Sequence, residues 1–309
     1  MKRFIGKTAI TIIPVLIGIF FCEHFLRKIP NDYAYKNEWL TNNISSVQVL
    51  IMGSSHSYFG INPTCFSEHA FNASHVSQTL KYDYYIFNKF YNQMDSLRIL
   101  ILPVSYGSLV DFGPERGIED WRAKYYSIYY GCEYHKFEPN YNYEIYNKHH
   151  LKMALNSMLG KENHRACDSL GRGFTGNLED RPKNWEESGR IAARRHTSSK
   201  INHEIVEKNK FLIEEIINKC REKNVFVVIV TTPTYQSYWE NLDTYQLNLM
   251  IEICNSYAEK HTNVKYLNLL SDERFGPDDF SDADHLNEFG AEKLSRVLND
   301  YCNSLVFQK

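Results

Sequence analysis

The 309 residues contain no marked excess of one charge, no Cys-x-x-Cys pair, and no internal repeat or low-complexity tract. Each absence removes a class of function. Lys and Arg total 35 against 37 Asp and Glu, a formal charge of -2, so nothing in the balance suits a nucleic-acid phosphate backbone. Cysteines at 22, 65, 132, 167, 220, 254 and 302 are too widely spaced for a zinc ligand set or a disulfide scaffold, although one or two disulfides stay open. With 43% hydrophobic and 23% charged residues, the chain is neither polytopic membrane protein, collagen nor disordered polymer. What is abundant is tyrosine: 22 of them, in a chain with 14% aromatic residues. Tyrosine pairs an apolar ring with a hydroxyl and so suits wet binding surfaces.

Long apolar runs are also scarce, with one exception. Lys2, Arg3 and Lys7 precede the uncharged run Thr8 to Cys22, and Glu23, His24, Arg27 and Lys28 follow it. At ~1.5 Å per residue the run spans about 22 Å, and Phe4, Ile5 and a snorkelling Lys7 extend it towards the ~30 Å hydrocarbon core. Ile19-Phe20-Phe21-Cys22 lacks the small residues a signal peptidase needs. Residues 1–28 therefore read as an uncleaved single-pass transmembrane anchor. Its three leading cations favour a cytoplasmic N-terminus, with the rest of the chain outside the cytoplasm. Residues 29–46, with Pro30 and several Asn, read as a polar stem.

From residue 47 the pattern changes. Val47 to Gly53, Arg98 to Val104, Val225 to Pro233 and Val264 to Leu270 are short apolar runs of the kind that form strands covered on both faces. Helical spacing fills the gaps: Leu80 to Met94, His203 to Asn224, Asp243 to His261, and a last helix from near Asn287 with Ala291, Leu294, Leu298 and Tyr301 on one face. Strands alternating with helices imply an α/β domain over 47–309 with a parallel sheet, its site at the carboxyl ends of the strands. One segment breaks the rhythm. Residues from about 105 to 201 greatly exceed an ordinary connection and carry Tyr125, Tyr126, Tyr129, Tyr130, Tyr134, Tyr141, Tyr143 and Tyr146. This insertion either stacks on a sugar or packs without a ligand.

Two clusters can carry chemistry. Gly53-Ser54-Ser55-His56 ends the first run, where Gly permits a tight turn and a following helix N-terminus offers N–H groups to an oxyanion. Asp282-Ala283-Asp284-His285-Leu286-Asn287 precedes the last helix; an Asp three residues before a His can hold Nδ1 and leave Nε2 facing a nucleophile. Each has a plainer reading, as turn chemistry and as an acidic loop with Asp278 and Asp279 before an N-cap. Arg190, Arg194, Arg195 and His196 form a basic cluster that suits an anionic glycan or a solvated helix face. His149-His150 lacks metal-ligand spacing.

Together, a Ser after the first strand and an Asp-x-x-His before the C-terminal helix resemble the SGNH, or GDSL, hydrolase superfamily. The resemblance runs from about Val47 to Leu305, outside the long insertion. It implies a three-layer sandwich around a central parallel sheet, preceded here by the N-terminal transmembrane helix. It also implies Ser55 as nucleophile, His285 as general base and Asp282 as its orienting partner, with no metal and no cofactor. Asn72-Ala73-Ser74 takes the place of the second family block, making Asn72 and Ala73 candidates for the oxyanion hole; Asn72 reads equally as a turn residue. His56 is a candidate substrate contact. The usual Gly-x-Asn-Asp of the third block is absent, and Pro103-Val104-Ser105-Tyr106 stands there. The anchor, the Gly-Ser-Ser block and the His-Leu-Asn-Glu-x-Gly-Ala ending resemble the subset that includes accessory proteins of alginate O-acetylation and teichoic-acid D-alanylation. That likeness implies ester hydrolysis or O-acyl transfer on a cell-surface glycan or a small acyl ester. It places the chain in the bacterial cytoplasmic membrane, facing outwards, with a membrane-bound O-acyltransferase as possible partner. The alternative is a non-catalytic glycan-binding or scaffold protein of such a system.

Overall fold

The computed structural model describes residues 2–110, 120–132, 139–146, 151, 152, 156, 165–176 and 178–306. Tyr134, His149 and His150 lie outside these residues. Two compact units divide the chain: Met1–Asn37 with Glu115–Ala166, and Glu38–Pro114 with Cys167–Lys309.

The first unit contains helix α1 (Lys2–Leu26), the start of α2 (Asp32–Asn43), α5 (Asp120–Tyr125) running into a π-helical turn at Tyr126–Tyr130, and the short α6 (Pro139–Asn142). The segment expected to be a polar stem is largely α2, because Tyr33, Leu40 and Ile44 recur at helical spacing and are buried. Within this unit Tyr33 packs on the rings of Tyr125 and Tyr126 at 4.9 and 5.1 Å. Those tyrosines are core residues here. The Glu23 carboxylate accepts from Glu144 N and Ile145 N at 3.1 and 3.0 Å and pairs with Arg27, which ties the end of α1 to residues 144–145. From Ile10 to Phe21 the large apolar side chains of α1 are exposed on every side of the helix. Among the described residues no helix is long and apolar enough to cross a membrane.

The second unit is a five-stranded, wholly parallel sheet in the order β2-β1-β3-β4-β5. The strands are β1 (Val49–Ile51), β2 (Ala70–Asn72), β3 (Ile99–Pro103), β4 (Phe226–Thr231) and β5 (Val264–Asn268). Four lie within the apolar runs; β2 is only three residues long, too short for a periodicity to mark it. The helices are α3 (Ser55–Gly60), α4 (Leu80–Phe90), α7 (Trp185–His196), α8 (His203–Glu222), α9 (Gln236–Trp239), α10 (Thr244–Lys260) and α11 (Glu288–Val306). Alternate residues divide between the two faces. Val49, Ile51, Ile99, Ile101, Val228 and Val230 meet Leu294, Leu298 and Cys302 of α11. Leu50, Phe71, Leu100, Leu102, Val227 and Ile229 are equally buried on the other face, where α8 packs on β4 and Trp39 stacks on Phe71. Burial on both faces is why these strands read as unbroken apolar runs. All seven cysteines are free thiols.

The chain order leaves β1 between β2 and β3, so connections leave in opposite directions at this point and open a crevice at the carboxyl ends. The loop after β1 and the loop between β5 and α11 both belong to this end of the sheet.

Candidate active site

Gly53 ends β1 with φ +106°, a left-handed conformation, and a Cβ there would strike Ser57 Oγ and crowd Pro103. Its N–H donates to Asp83 Oδ1 at 2.8 Å, which also accepts from Gln78 Nε2 at 2.7 Å. Burial pushes the Asp83 carboxyl up to about 7, against the lowering effect of these two hydrogen bonds. The chain then turns into α3. Ser54 O accepts from Ser57 N and Tyr58 N at 3.1 and 2.9 Å, which leaves Ser55 in the first turn. Ser55 N–H and His56 N–H have no hydrogen-bond acceptor among the described residues, as expected for the opening of a helix.

On the other side, Asp282 Oδ1 accepts from Asp284 N and His285 N at 3.0 and 2.8 Å, a turn built by the side chain itself. The same carboxylate meets His285 Nδ1 at 3.0 and 3.1 Å. His285 Nε2 then lies 2.8 Å from Ser55 Oγ. The structure thus brings together Ser55, His285 and Asp282, with 230 positions of chain between Ser55 and His285. With Nδ1–H donating to Asp282, Nε2 accepts from the Ser55 hydroxyl.

The charges around His285 set its basicity. Burial alone lowers its pKa; the Asp284 charge, with the hydrogen bond and charge of Asp282, outweighs this and holds it above the ordinary histidine range. For Asp282 partial burial raises the pKa, but the His285 hydrogen bond and charge and the Asp284 N–H hold the carboxyl well below the usual range. Asp284 is buried, with its Oδ1 3.6 Å from His285 Nδ1 and its Oδ2 3.1 Å from Arg195 Nη2. Burial raises its pKa, and Asp282 adds to the rise.

His56 lies flat against His285, ring centroids 5.1 Å apart and planes 18° apart, with Nδ1 3.3 Å from Ser54 Oγ and Nε2 3.9 Å from Asp284. Burial, followed by the like charges of His285 and His196, keeps its pKa well below the ordinary value. It is a neutral, mostly enclosed flank of the His285 ring. His196 is similarly lowered to about 4 by burial and the Arg195 charge, and its Nδ1 meets Tyr238 OH at 2.8 Å. His56, Asp284 and His285 lie close enough together to hold a cation, but His285 is the ring already engaged by Asp282 and Ser55, and the other two are its immediate neighbours.

The two remaining candidates are corrected by the geometry. Asn72 is fully buried and donates both amide hydrogens, to Ser57 O and Ile61 O, each at 2.9 Å; its Oδ1 accepts from Ser74 N and Ser74 Oγ. No hydrogen is left for an oxyanion. Ala73 N donates to Ile51 O at 2.8 Å, extending the β1–β2 ladder, so it too is spent. In the loop after β3, Ser105 N is likewise engaged by Ser108 Oγ at 2.9 Å.

The basic cluster divides. Arg190 pairs with Glu187 on its own helix, whereas Arg195 and His196 reach Asp284. Arg172 escaped the sequence reading: it has no motif around it and its partners are more than a hundred positions away.

By sequence, no known protein family and no curated protein matches the chain. Among solved structures, one provisionally described as an acylhydrolase from Bacteroides fragilis is 12% identical over 88% of this chain and 95% of its own, with a TM-score of 0.43. A GDSL-like lipase from Bacteroides thetaiotaomicron is 10% identical over 88% and 99%, with a TM-score of 0.43. A protein provisionally described as a platelet activating factor from Streptococcus pneumoniae is 11% identical over 95% and 99%, with a TM-score of 0.37. At such TM-scores these likenesses carry no weight for function.

Proposed function

We propose that the chain is a serine-dependent ester hydrolase or O-acyltransferase of the SGNH type, with Ser55 as nucleophile, His285 as general base and Asp282 as the group that orients and charges the base. The observation that carries this reading is the continuous hydrogen-bond line from Asp282 through His285 Nδ1 and Nε2 to Ser55 Oγ, with links of 3.0 and 2.8 Å.

The chemistry follows from that line. Ser55 Oγ attacks an ester carbonyl carbon while its proton passes to His285 Nε2, and Asp282 stabilises the resulting imidazolium. The carbonyl oxygen becomes an oxyanion. With Asn72 and Ala73 committed elsewhere, Ser55 N–H and His56 N–H are the donors proposed to meet it. Collapse expels the alcohol, which takes the proton back from Nε2, and leaves acyl-Ser55. Water or a sugar hydroxyl then gives its proton to Nε2 and attacks the acyl carbon, releasing an acid or a new ester and restoring Ser55. Hydrolysis and transfer differ only in this acceptor.

The proposed setting is a membrane surface carrying an acylated glycan, with a membrane-bound O-acyltransferase as partner. Its support is the apolar surface exposed all around α1, preceded by Lys2, Arg3 and Lys7.

A fluorophosphonate probe tests the catalytic reading. The wild-type chain should take about one label per molecule, and Ser55→Ala should take none. Labelling that persists in Ser55→Ala defeats the assignment. A folded wild-type chain that resists the probe favours the non-catalytic scaffold.

A further inference from the structure

We infer, on the reading that Ser55 and His285 are nucleophile and base, that Arg172 is a positioning residue that couples the nucleophile's helix to the base's helix and so sets their separation.

Arg172 lies on the loop 167–173 and its side chain is only 6% exposed, so its charge must be met by protein groups. Two helices meet it. Nη1 and Nη2 reach Oε1 and Oε2 of Glu288 at 2.6 and 2.8 Å, a forked pair that needs the planar guanidinium. Nε donates to Phe59 O at 3.1 Å. Glu288 opens α11, three positions after His285, and Phe59 lies near the end of α3, four positions after Ser55. The Phe59 ring in turn meets the His285 imidazole edge-on, with centroids 5.8 Å apart and planes at 88°. One side chain therefore holds the far end of α3, the start of α11 and, through Phe59, a flank of the base.

The loop is shaped to hold this arginine in place. Asp168 Oδ1 accepts from Leu170 N and Arg172 N at 2.8 and 3.0 Å, and Asp168 N donates to Arg172 O at 2.8 Å. Gly173 N donates to Tyr58 O at 2.8 Å, so Tyr58 O and Phe59 O, carbonyls at the end of a short helix, both accept from this loop. A Cβ on Gly173 would run into the Tyr58 ring; the loop lies against α3 as closely as backbone allows. Leu170 O accepts from Asn72 N at 2.9 Å, fixing the loop to the edge strand as well.

The test is the rate at which a fluorophosphonate labels the full-length chain, resolved into the inactivation rate constant kinact and the half-saturation constant KI. The final labelled stoichiometry counts folded sites. Arg172→Lys keeps the charge but not the fork; kinact should fall roughly 10- to 100-fold, the cost of a misplacement near 1 Å, with KI and stoichiometry nearly unchanged. Glu288→Gln should lower kinact in the same way but less, and added methylguanidinium should restore part of the rate in Arg172→Ala. Wild-type kinact in both Arg172→Lys and Glu288→Gln overturns the inference. So does a loss confined to stoichiometry or melting temperature, which makes Arg172 an anchor for the loop alone. A wild-type chain that takes no label removes the reading of Ser55 itself, and the inference with it, before any substitution is made.

Discussion

On the Ser55 side of the site, the neutral groups Asn72 and Ala73 spend their hydrogen bonds on backbone: Asn72 on Ser57 O and Ile61 O, Ala73 on Ile51 O. On the His285 side, beside the rings of His56 and Phe59, stand charged groups: Asp282, Asp284 and, behind Asp284, Arg195. The first arrangement fixes a position; the second sets a proton affinity. Asp83 is the exception on the nucleophile side, a buried carboxyl pushed up to about 7 beneath the Gly53 turn. Arg172 bridges the two sides.

Substitutions that remove one property and spare the other sharpen this contrast. The largest effect is expected from Asp282→Asn. The new Oδ1 still accepts from the N–H groups of Asp284 and His285, so the turn survives, but an amide NH2 now stands where Oδ2 met Nδ1 at 3.1 Å; the negative charge is gone and the tautomer that leaves Nε2 open to the Ser55 hydroxyl is disfavoured. Labelling should slow by about 10³- to 10⁴-fold with the melting curve little changed, as wrong-tautomer variants of such triads do. A rate within tenfold of wild type would remove Asp282 from its role.

Next comes Asn72→Ala, on the neutral side. It strips donors from two carbonyls and an acceptor from Ser74, at an expected cost of about 1–3 kcal/mol in urea unfolding. The folded fraction should label at close to the wild-type rate. If Asn72 were an oxyanion donor, the reverse would hold, with rate lost and stability kept.

The smallest change is expected from Asp284→Asn, read in the pH profile. The base must be neutral to accept the Ser55 proton, so the labelling rate rises with pH through the His285 pKa. That pKa is held above the ordinary value in part by the Asp284 charge. Neutralising Asp284, with Arg195 still nearby, should move the rising limb to lower pH. A limb that stays in place would show that Asp282 alone sets the basicity.

Much of this architecture was legible in the chain. The four apolar runs each contain a strand; in β1, β3 and β4 residues buried on both faces leave no alternation to hide the signal, whereas the edge strand β5 is only partly buried after Val264. The Asp282-to-His285 link was legible because it is local: a three-residue spacing within one loop, closed by the carboxylate on its own backbone. The place of Asn72 was not legible, for a physical reason. An Asn at the end of a short strand looks like a spare donor, and only the position of Ser57 O and Ile61 O shows its hydrogens to be spent. The tyrosines divide in the same way. Tyr125 and Tyr126 pack on Tyr33, a partner some ninety positions away that no composition could supply.

The sequence by itself determined four of the five strands, the helices α4, α8, α10 and α11, the turn after β1 at Gly53, and the pairing of Asp282 with His285. Backbone geometry and short-range hydrogen bonds encode each of these within a few residues. Only the tertiary structure decided that Ser55 lies 2.8 Å from His285, that Asn72 and Ala73 are spent, and that Arg172 and Arg195 reach the site. Those outcomes depend on how helices seat on the two faces of the sheet, because side-chain chemistry specifies what a group can bond to and packing alone specifies what it meets.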